Sequence, residues 1–355
     1  MSKYLSPLYS CLEEYVPGEQ PQDKKYIKLN TNESPFSPCE EVIKALNGEE
    51  VAKLNLYCDP ESKMLKEVLA KQYGVKKENV FVANGSDDIL NFAFMAYARE
   101  DGCAFADITY GFYKVFAQLY GINAQIIPLK ADFTLSADDY CGINKFIAIA
   151  NPNAPTGICL PLSDIEKVIK SNPNNVVLID EAYVDFGGES AVKLIDKYPN
   201  LLVVQTFSKS RSMAGARLGF AIANEQLIKD LEKIKFSTNP YNVNRLTQLA
   251  GICTIENQAY YDKNAKGIIY NREFTTKKLE ELGFTVLDSK ANFIFAKSDK
   301  ISGEELYLSL KEKGILIRHF TQERIKEFNR ITIGTLQQME CFIKETENIL
   351  KEKNL

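Results

Sequence analysis

The chain has 355 residues, a formal net charge of −4 at pH 7, 45% hydrophobic residues and 25% charged residues. This length is typical of two domains of unequal size, and the composition is that of a soluble globular protein. The slightly acidic balance favours neither nucleic acid nor an anionic membrane as a partner. No apolar run is long enough to span a membrane, and the first six residues lack the apolar core of a signal peptide, so we expect a cytoplasmic protein.

Side chains that bind metals are few and scattered. The eight cysteines form no Cys-x-x-Cys pair, and His319 is the single histidine of the chain. We therefore expect neither a metal site nor a disulfide framework. One histidine also argues against Ser-His-Asp or Cys-His catalysis, and we expect His319 to be a surface or packing residue.

Strands alternate with helices over the first two thirds of the chain. The predicted strands are 79–83, 103–106, 145–150, 175–179, 201–206 and 218–223. Helical spacing lies between most of them, for example over 162–171. This alternation predicts an α/β domain with a mostly parallel sheet.

Polar turns follow several of these strands and begin at Asn84, Asn151, Asp180 and Ser208. Because parallel sheets bind ligands at the carboxyl ends of their strands, we expect these turns to surround a site. The first turn enters a helix predicted over 89–98, whose free backbone N–H groups suit an anion. Taken alone, that segment is explained more simply as an ordinary helix N-cap.

A lysine lies between two of the predicted strands. Lys209 stands beside small hydroxyl residues, and Arg217 follows eight positions later. A lysine that its surroundings hold neutral can form a Schiff base, and hydroxyls with an arginine can hold a phosphate beside it. Pyridoxal 5'-phosphate (PLP) requires this combination. On its own Lys209 is most simply a solvated loop residue, so the interpretation depends on the other segments.

Beyond about residue 265 the pattern changes to a compact α+β arrangement. It has predicted helices over 271–282, 303–313 and 336–353 and predicted strands over 285–287, 293–296, 315–318 and 329–333. We predict an irregular N-terminal arm over 1–35 and a large domain over 36–245. A small C-terminal domain over 246–355 is expected to begin with a linking helix.

Together, these segments resemble the fold-type I PLP-dependent aminotransferases of the class II subfamily, and most closely the histidinol-phosphate aminotransferase family. The resemblance is carried, in the family's order, by 15–19, 29–35, 57–60, 84–88, 155–157, 180–183, 208–217, 291–294 and 329–335. It implies an α/β fold whose large domain has a mostly parallel seven-stranded sheet flanked by helices, with a smaller α+β C-terminal domain.

The resemblance also implies a reaction. An amino group would move between L-glutamate and imidazole-acetol phosphate, giving L-histidinol phosphate and 2-oxoglutarate in histidine biosynthesis. The alternatives are an aromatic amino-acid aminotransferase and a PLP-dependent threonine-phosphate decarboxylase, both of which are similar to this family.

Several residues match the family's cofactor contacts. Lys209 resembles the lysine that binds the cofactor aldehyde and moves a proton, Asp180 the partner of the pyridine nitrogen, and Tyr183 the hydroxyl bound to O3'. The other implied cofactor contacts are Gly85, Ser86, Asp87, Tyr110, Asn153, Thr206, Ser208 and Arg217. Tyr57 resembles a tyrosine that reaches the cofactor phosphate of a neighbouring subunit, which implies a homodimer with shared active sites.

The implied substrate contacts are Arg330, Arg318, Asn32 and Asn292. Arg330 matches the arginine that holds the substrate α-carboxylate. Arg318 is expected to meet the substrate phosphate and the side-chain carboxylate of glutamate, with a surface strand arginine as the alternative. Asn292 is equally well explained as a turn-forming residue.

One position departs from the family pattern. Relatives usually have asparagine directly before Pro-Thr-Gly, where it bonds O3', but this chain has Ala154 there and Asn153 one step earlier. Either Asn153 replaces the missing amide or Tyr183 binds O3' alone.

Overall fold

The computed structural model describes residues 4–10, 12–98 and 100–353. Its strands are β1 (Ile27–Leu29), β2 (Val80–Ala83), β3 (Cys103–Ala106), β4 (Ala124–Ile127), β5 (Phe146–Ala150), β6 (Val177–Asp180), β7 (Leu201–Thr206), β8 (Gly219–Ala223), β9 (Phe284–Val286), β10 (Phe293–Ser298), β11 (Ile315–His319) and β12 (Asn329–Thr332). Its α-helices are α1 (Glu40–Ala45), α2 (Gly48–Val51), α3 (Lys63–Tyr73), α4 (Ser86–Tyr97), α5 (Phe112–Leu119), α6 (Leu162–Ser171), α7 (Glu225–Thr238), α8 (Arg245–Glu256), α9 (Gln258–Glu281), α10 (Gly303–Glu312) and α11 (Leu336–Glu352).

The larger sheet has seven strands in the order β2-β8-β7-β6-β5-β3-β4. β8 runs antiparallel to its neighbours β2 and β7, and the other pairs are parallel. Alternate residues of β7 pack into two different clusters, Leu201 and Val203 into one and Leu202 and Val204 into the other. Both faces of the sheet are therefore buried, which explains why its strands are continuous apolar runs. The predicted α/β fold with a mostly parallel sheet is confirmed.

Four polar turns meet at one edge of this sheet, which we call the C-terminal edge. They follow the last residues of β2, β5, β6 and β7. Because β8 is antiparallel to both β2 and β7, β2 points in the same direction as the parallel strands. The turns beginning at Asn84, Asn151, Glu181 and Phe207 thus lie on the same side of the molecule.

The smaller sheet has five strands in the order β1-β11-β12-β10-β9. Its first strand comes from the predicted irregular arm, since Ile27–Leu29 pairs in parallel with Ile315–Ile317. A three-residue strand carries almost no local signal, and its partner lies far along the chain, so the sequence pattern did not indicate it. This pairing places Asn30 and the following residues against the small sheet.

The chain passes from the large sheet to the small one through α8 and α9. α8 packs against α1 and α3. α9 begins at Gln258, 13 residues before the helix start predicted at 271, because its first half is largely polar and shows little helical periodicity. Its Tyr261 packs with the large-sheet core, and its Leu279 packs with the small-sheet core. The domain limits at 35 and 245 stay predictions.

The remaining global features concern cysteines, the histidine and membrane spans. The cysteines within the described ranges have free thiols, and Cys11 and residues 1–3 of the predicted arm lie outside those ranges. The ring of His319 stacks on Tyr307, with centroids 5.9 Å apart. None of the described helices combines the length and the apolarity that crossing a bilayer requires.

Candidate active site

A cavity of about 1070 Å³ opens at the C-terminal edge of the large sheet. Its walls come from the turns after the strands, from the arm before β1 and from β11 and β12 of the small sheet. The sequence-predicted site residues that line it are Asn32, Ser86, Asp87, Tyr110, Asp180, Tyr183, Thr206, Ser208, Lys209, Arg217, Arg318 and Arg330. Residues far apart in the chain are therefore brought to one place.

Asp180 is the last residue of β6 and is almost fully buried. Its carboxylate accepts a hydrogen bond from the Tyr113 hydroxyl at 2.9 Å and one from the Ala182 backbone N–H at 3.3 Å. Burial raises the pKa of Asp180 to about 6, against the opposing effects of the Tyr113 hydrogen bond and the Lys209 charge. A buried carboxylate with two donors retains acceptor capacity for a cationic partner.

Lys209 and Tyr183 both line the cavity and lie close to each other. The Lys209 Nζ lies 5.7 Å from the centroid of the Tyr183 ring and 3.5 Å from the Thr31 carbonyl oxygen. The Tyr183 hydroxyl accepts a hydrogen bond of 3.0 Å from Asn32 Nδ2. Asn32 is itself fixed, since its backbone N–H donates to Thr332 Oγ1 at 2.9 Å. The arm thus supplies partners for both residues.

The start of α4 forms an open anion cradle. Its N-cap is Gly85, which has φ 89° and no capping side chain, so the first backbone N–H groups remain free to bind a ligand. A Cβ on Gly85 would lie 2.8 Å from Arg217 Nη2, and a Cβ on Gly219 would lie 2.4 Å from Ser86 N. Glycine at position 85 thus leaves room for the Arg217 guanidinium, and glycine at position 219 lets the start of β8 approach the start of α4.

Asp87 joins two predicted cofactor contacts. Its carboxylate accepts a hydrogen bond of 2.6 Å from the Tyr110 hydroxyl and pairs with Arg217 Nη2 at 3.0 Å. Burial, together with the Asp87 charge, raises the pKa of Tyr110 well above its ordinary value. The hydroxyl of Tyr110 therefore stays protonated and holds its ring against the cavity. Arg217 itself is positioned by a left-handed backbone, with φ 55°.

Small hydroxyl residues complete the cradle on the side of β7. The Thr206 hydroxyl donates to Ser208 Oγ at 3.0 Å, and the Ser208 backbone N–H donates to Thr206 Oγ1 at 3.1 Å. Both residues are buried apart from their cavity surface. The arrangement presents hydroxyl and guanidinium donors together, which are the groups that bind phosphate oxygens.

Two arginines from the small sheet face the same cavity. Arg330 Nη2 donates to the Asn30 carbonyl at 3.0 Å, whereas its Nε has no hydrogen-bond partner among the described residues. Burial lowers the pKa of the Arg330 guanidinium. Arg318 donates through Nη1 to the Pro17 carbonyl and through Nη2 to the Val16 carbonyl, each at 3.1 Å. Arg330 thus has unused donor capacity, while Arg318 is held by the arm.

The arm contributes Tyr15, an aromatic side chain for which the sequence pattern indicated no individual role. The Tyr15 ring stacks on Phe112 with centroids 4.3 Å apart, and it lines the cavity. Burial raises the pKa of Tyr15, and the nearby Arg330 charge opposes this rise. Behind it, Glu19 is anchored to Lys311 at 2.5 Å. A run of turn-forming residues gave no signal for this contact, because the partners belong to α5 and α10.

Four predicted residues do not line the cavity: Gly85, which lies behind Arg217, and Asn153, Asn292 and Tyr57. The Asn153 amide donates to the Ile108 carbonyl at 3.0 Å and accepts from the Thr109 hydroxyl at 2.8 Å, while Ala154 faces the cavity.

Asn292 and Tyr57 occupy different surroundings. Asn292 donates to the Asn32 carbonyl at 3.0 Å, so it supports the arm from behind. Tyr57 is 80% exposed and stacks on Tyr241, with centroids 4.5 Å apart.

The family of the chain follows from comparison with known proteins. Residues 24–345 match the family model for class I and II aminotransferases, and the chain belongs to that family. The histidinol-phosphate aminotransferase of Brachyspira hyodysenteriae is 51% identical over 353 residues, covering 99% of this chain and 100% of that protein. That of a Marinomonas species is 50% identical over 343 residues, covering 96% and 97%. Within the class, the chain is thus a member of the histidinol-phosphate aminotransferase family.

The fold agrees with a solved structure. The crystal structure of the histidinol-phosphate aminotransferase from Sinorhizobium meliloti in complex with pyridoxal-5'-phosphate matches this chain with a TM-score of 0.86. The match covers 99% of both chains at 20% sequence identity, so it bears on the fold alone.

Proposed function

We propose that this aminotransferase uses pyridoxal 5'-phosphate to transfer an amino group between L-glutamate and imidazole-acetol phosphate, giving L-histidinol phosphate and 2-oxoglutarate. The observation that carries the proposal is one cavity lined by Lys209, Asp180 and Arg330, in a member of the histidinol-phosphate aminotransferase family. These groups are an amine, a buried carboxylate and an arginine with unused donors.

The residues present fit the cofactor. Asp180 forms no ion pair with any described residue, and its burial favours a cationic ring nitrogen as its partner. The uncapped start of α4 with Thr206, Ser208 and Arg217 fits a phosphate dianion. Tyr110 lies where its ring can stack on an aromatic cofactor.

When bound, pyridoxal phosphate supplies an aldehyde for the amine and a ring that takes up an electron pair from the substrate α-carbon. Lys209 would hold the cofactor through its Nζ, and once free, that amine would move the proton at the substrate α-carbon. Asp180 would keep the ring nitrogen cationic. Tyr183, positioned by Asn32, presents its hydroxyl to O3'. Since the Asn153 amide is bound to Thr109 and Ile108, we assign the O3' contact to Tyr183 without an asparagine.

The small-sheet arginines select acidic substrates. Arg330 lines the cavity and offers its planar guanidinium fork to the α-carboxylate of glutamate. Arg318 lines the same cavity and binds the arm through two carbonyl oxygens, which an anionic oxygen can replace as stronger acceptors. We assign it the phosphate of the histidinol substrate and the side-chain carboxylate of glutamate.

A second copy of the chain completes the site in this proposal. Tyr57 is 80% exposed and does not line the cavity of its own chain. Exposed apolar side chains surround it in sequence: Ile43, Leu46, Val51, Leu54, Leu56 and Met64. An exposed apolar surface of this kind suits a two-fold homodimer in which Tyr57 reaches the phosphate of the other site.

A coupled assay tests the substrate assignment. The purified protein is given L-histidinol phosphate and 2-oxoglutarate, and glutamate formation is followed. We expect turnover with this pair and little with aromatic amino acids. Turnover with aromatic amino acids but none with histidinol phosphate would identify an aromatic aminotransferase, and release of carbon dioxide from threonine phosphate would identify a decarboxylase.

A further inference from the structure

A second polar cluster lies next to the cavity but does not line it. We call it the back network and define it by Tyr73, Glu181, Asp185, Gln205, Ser210 and Arg211, none of which is a cavity-lining residue. Glu181 directly follows Asp180 in the chain, and Ser210 directly follows Lys209. Asp180 and Lys209 are therefore each covalently next to a member of this network.

Arg211 is the centre of the network and is only 2% exposed. Its Nη2 donates to the Tyr73 hydroxyl at 2.9 Å, and its Nη1 donates to Asp185 Oδ2 at 3.1 Å. The guanidinium also lies over the rings of Phe207 and Phe220, at 5.5 and 5.6 Å from their centroids. A charge this deeply buried is costly unless its geometry is fixed, so Arg211 has essentially one position.

Asp185 links Arg211 to the lysine segment. Besides the ion pair with Arg211, its carboxylate accepts a hydrogen bond from the Ser210 hydroxyl. Asp185 lies two residues after Tyr183, in the turn that follows β6. The turn carrying Asp180 and Tyr183 is therefore fastened to the residue directly after Lys209.

The same two segments are joined a second time through Glu181. Gln205 Nε2 donates to Glu181 Oε2 at 2.8 Å, and the Tyr73 hydroxyl donates to Gln205 Oε1 at 2.6 Å. Because Tyr73 also accepts from Arg211, it connects this second tie to the first. Segment 181–185 is thus held to segment 205–211 at two points, with the last residue of α3 between them.

We propose that Arg211 is a positioning residue of the active site. Through Asp185, Ser210 and Tyr73 it fixes the distance between Lys209 and the pair formed by Asp180 and Tyr183. The inference rests on the proposed function, which gives those residues their roles. The parallel pairing of β6 and β7 sets the spacing of these two strands. The turns that follow them lie beyond this pairing, and the back network holds those turns together.

The test compares two variants of the network with a matched control. Arg211→Lys keeps the charge but replaces the two nitrogens that reach Asp185 and Tyr73 by one, and it loses the planar group that lies over the two rings. Tyr73→Phe removes one hydroxyl from the last residue of α3. The control Tyr97→Phe removes one hydroxyl from the last residue of α4, where it donates to the Leu227 carbonyl at 2.9 Å, away from the cavity.

For each protein, the melting temperature, kcat and KM for glutamate are measured, together with the pH midpoint of the absorbance change of the lysine-bound cofactor. We expect Tyr73→Phe and Arg211→Lys to lower kcat by about 10- to 100-fold, the cost of a displacement near 1 Å, with KM changed less than about threefold. The pH midpoint should shift by about half a unit or more, since the electrostatic surroundings of Lys209 change with its position.

The control should lower the melting temperature to a similar extent but leave kcat and the pH midpoint unchanged. If both network variants behave like the control, Arg211 is only structural and the inference is overturned. If Arg211→Lys does not fold, Tyr73→Phe decides alone. If the wild-type protein shows no absorbance band of bound cofactor, the proposed function is overturned. If the wild-type band is normal but the pH midpoints of the variants do not shift and their kcat is unchanged, only the role of Arg211 is overturned.

Discussion

Asp180 and Glu181 are adjacent buried carboxylates that lie on opposite sides of the C-terminal edge. Asp180 faces the cavity and receives two hydrogen bonds. Glu181 faces the back network and receives three, from the Ser190 hydroxyl, the Ala191 N–H and the Gln205 amide. Burial raises the pKa of both, to about 6 and about 7. Successive residues of an extended chain point to opposite faces, so one acid is left for a ligand while the protein satisfies the other.

The comparison separates groups that react or bind from groups that position them. On the cavity side, Asp180 and Arg330 have capacity that the protein does not use. On the back side, Glu181 and Asp185 have carboxylates filled by neighbouring donors. The difference lies in the carboxylates, since Asp180 keeps acceptor capacity on the ligand side. The arginines do not differ in this way, because the Nε atoms of Arg330 and of Arg211 both lack a hydrogen-bond partner among the described residues.

The largest expected effect is at the cavity lysine. Lys209→Ala removes both the amine that holds the cofactor and the group that moves the proton, and we expect kcat to fall by about 1000-fold or more. The coupled assay measures this, and absorbance spectra should lose the band of lysine-bound cofactor. Lys193→Ala, which removes only an exposed pair with Glu189, is the control and should retain full activity. A variant at position 209 with an unaltered band would disprove the lysine assignment.

The next effect contrasts the two adjacent acids. Asp180→Asn leaves the shape but removes the charge that keeps the ring nitrogen cationic, so we expect kcat to fall by about 100- to 1000-fold. Glu181→Gln keeps the size of the side chain and one of its two acceptor oxygens, so it retains part of the three hydrogen bonds, and its kcat should fall less than about tenfold. Steady-state kinetics of the two variants at one pH measure this difference. Equal losses of kcat in the two variants would show that Asp180 and Glu181 do not have the different roles proposed for them.

A smaller effect distinguishes binding from positioning among the arginines. Arg330→Lys replaces a planar fork by a single ammonium, and we expect KM for glutamate to rise by about 10- to 100-fold with a lesser change in kcat. Arg318→Lys should raise KM for histidinol phosphate more than KM for glutamate, because the phosphate carries more charge. Measuring kcat and KM separately for glutamate and for histidinol phosphate in both variants tests these expectations. A fall in kcat with an unchanged KM for glutamate in Arg330→Lys would place that residue with the positioning groups instead.

Local patterns predicted the large sheet well. The strands at 103–106 and 201–206 and the helix at 162–171 have the predicted bounds, because buried parallel strands are continuous apolar runs and α6 is strongly amphipathic. The same patterns located the turns that carry Asp180 and Lys209. The seven-stranded order, however, depends on pairings that no local pattern contains.

The rest of the site depends on contacts between distant segments. β1 exists because Lys28 pairs with Leu316, and Asn32 is placed by Thr332. The Asn153 amide is bound by Thr109, a partner supplied by a different turn. The one signal for the back network was an arginine close to Lys209, but its partner Tyr73 belongs to a helix far earlier in the chain. Tertiary contacts of this kind cannot be predicted from spacing.

The smallest predicted effect is the contribution of Glu181 to the pH dependence of the free energy of unfolding. Since the pKa of this carboxyl is raised to about 7, the folded protein retains a proton between about pH 4.5 and 7 that the unfolded chain has already lost. Unfolding therefore releases a proton, and the free energy of unfolding falls as pH rises through that window. Below this pH window Glu181 is protonated in both the folded and the unfolded protein. Above the window it is charged in both, and the burial of its charge lowers the free energy of unfolding by the full amount.

Glu181→Gln removes this titration, so its free energy of unfolding should depend less steeply on pH. Between pH 5 and 8 the wild type should lose about 2–3 kcal/mol more than the variant, while Asp180 titrates in both proteins and cancels. Urea unfolding at pH 5, 6, 7 and 8 measures the two slopes, with the exposed-acid variant Glu189→Gln expected to follow the wild type. Parallel plots of the free energy of unfolding against pH for wild type and Glu181→Gln would mean that the pKa of Glu181 is not raised in the folded protein. Asp180 and Glu181 would then differ in pKa as well as in the side of the sheet edge that they face.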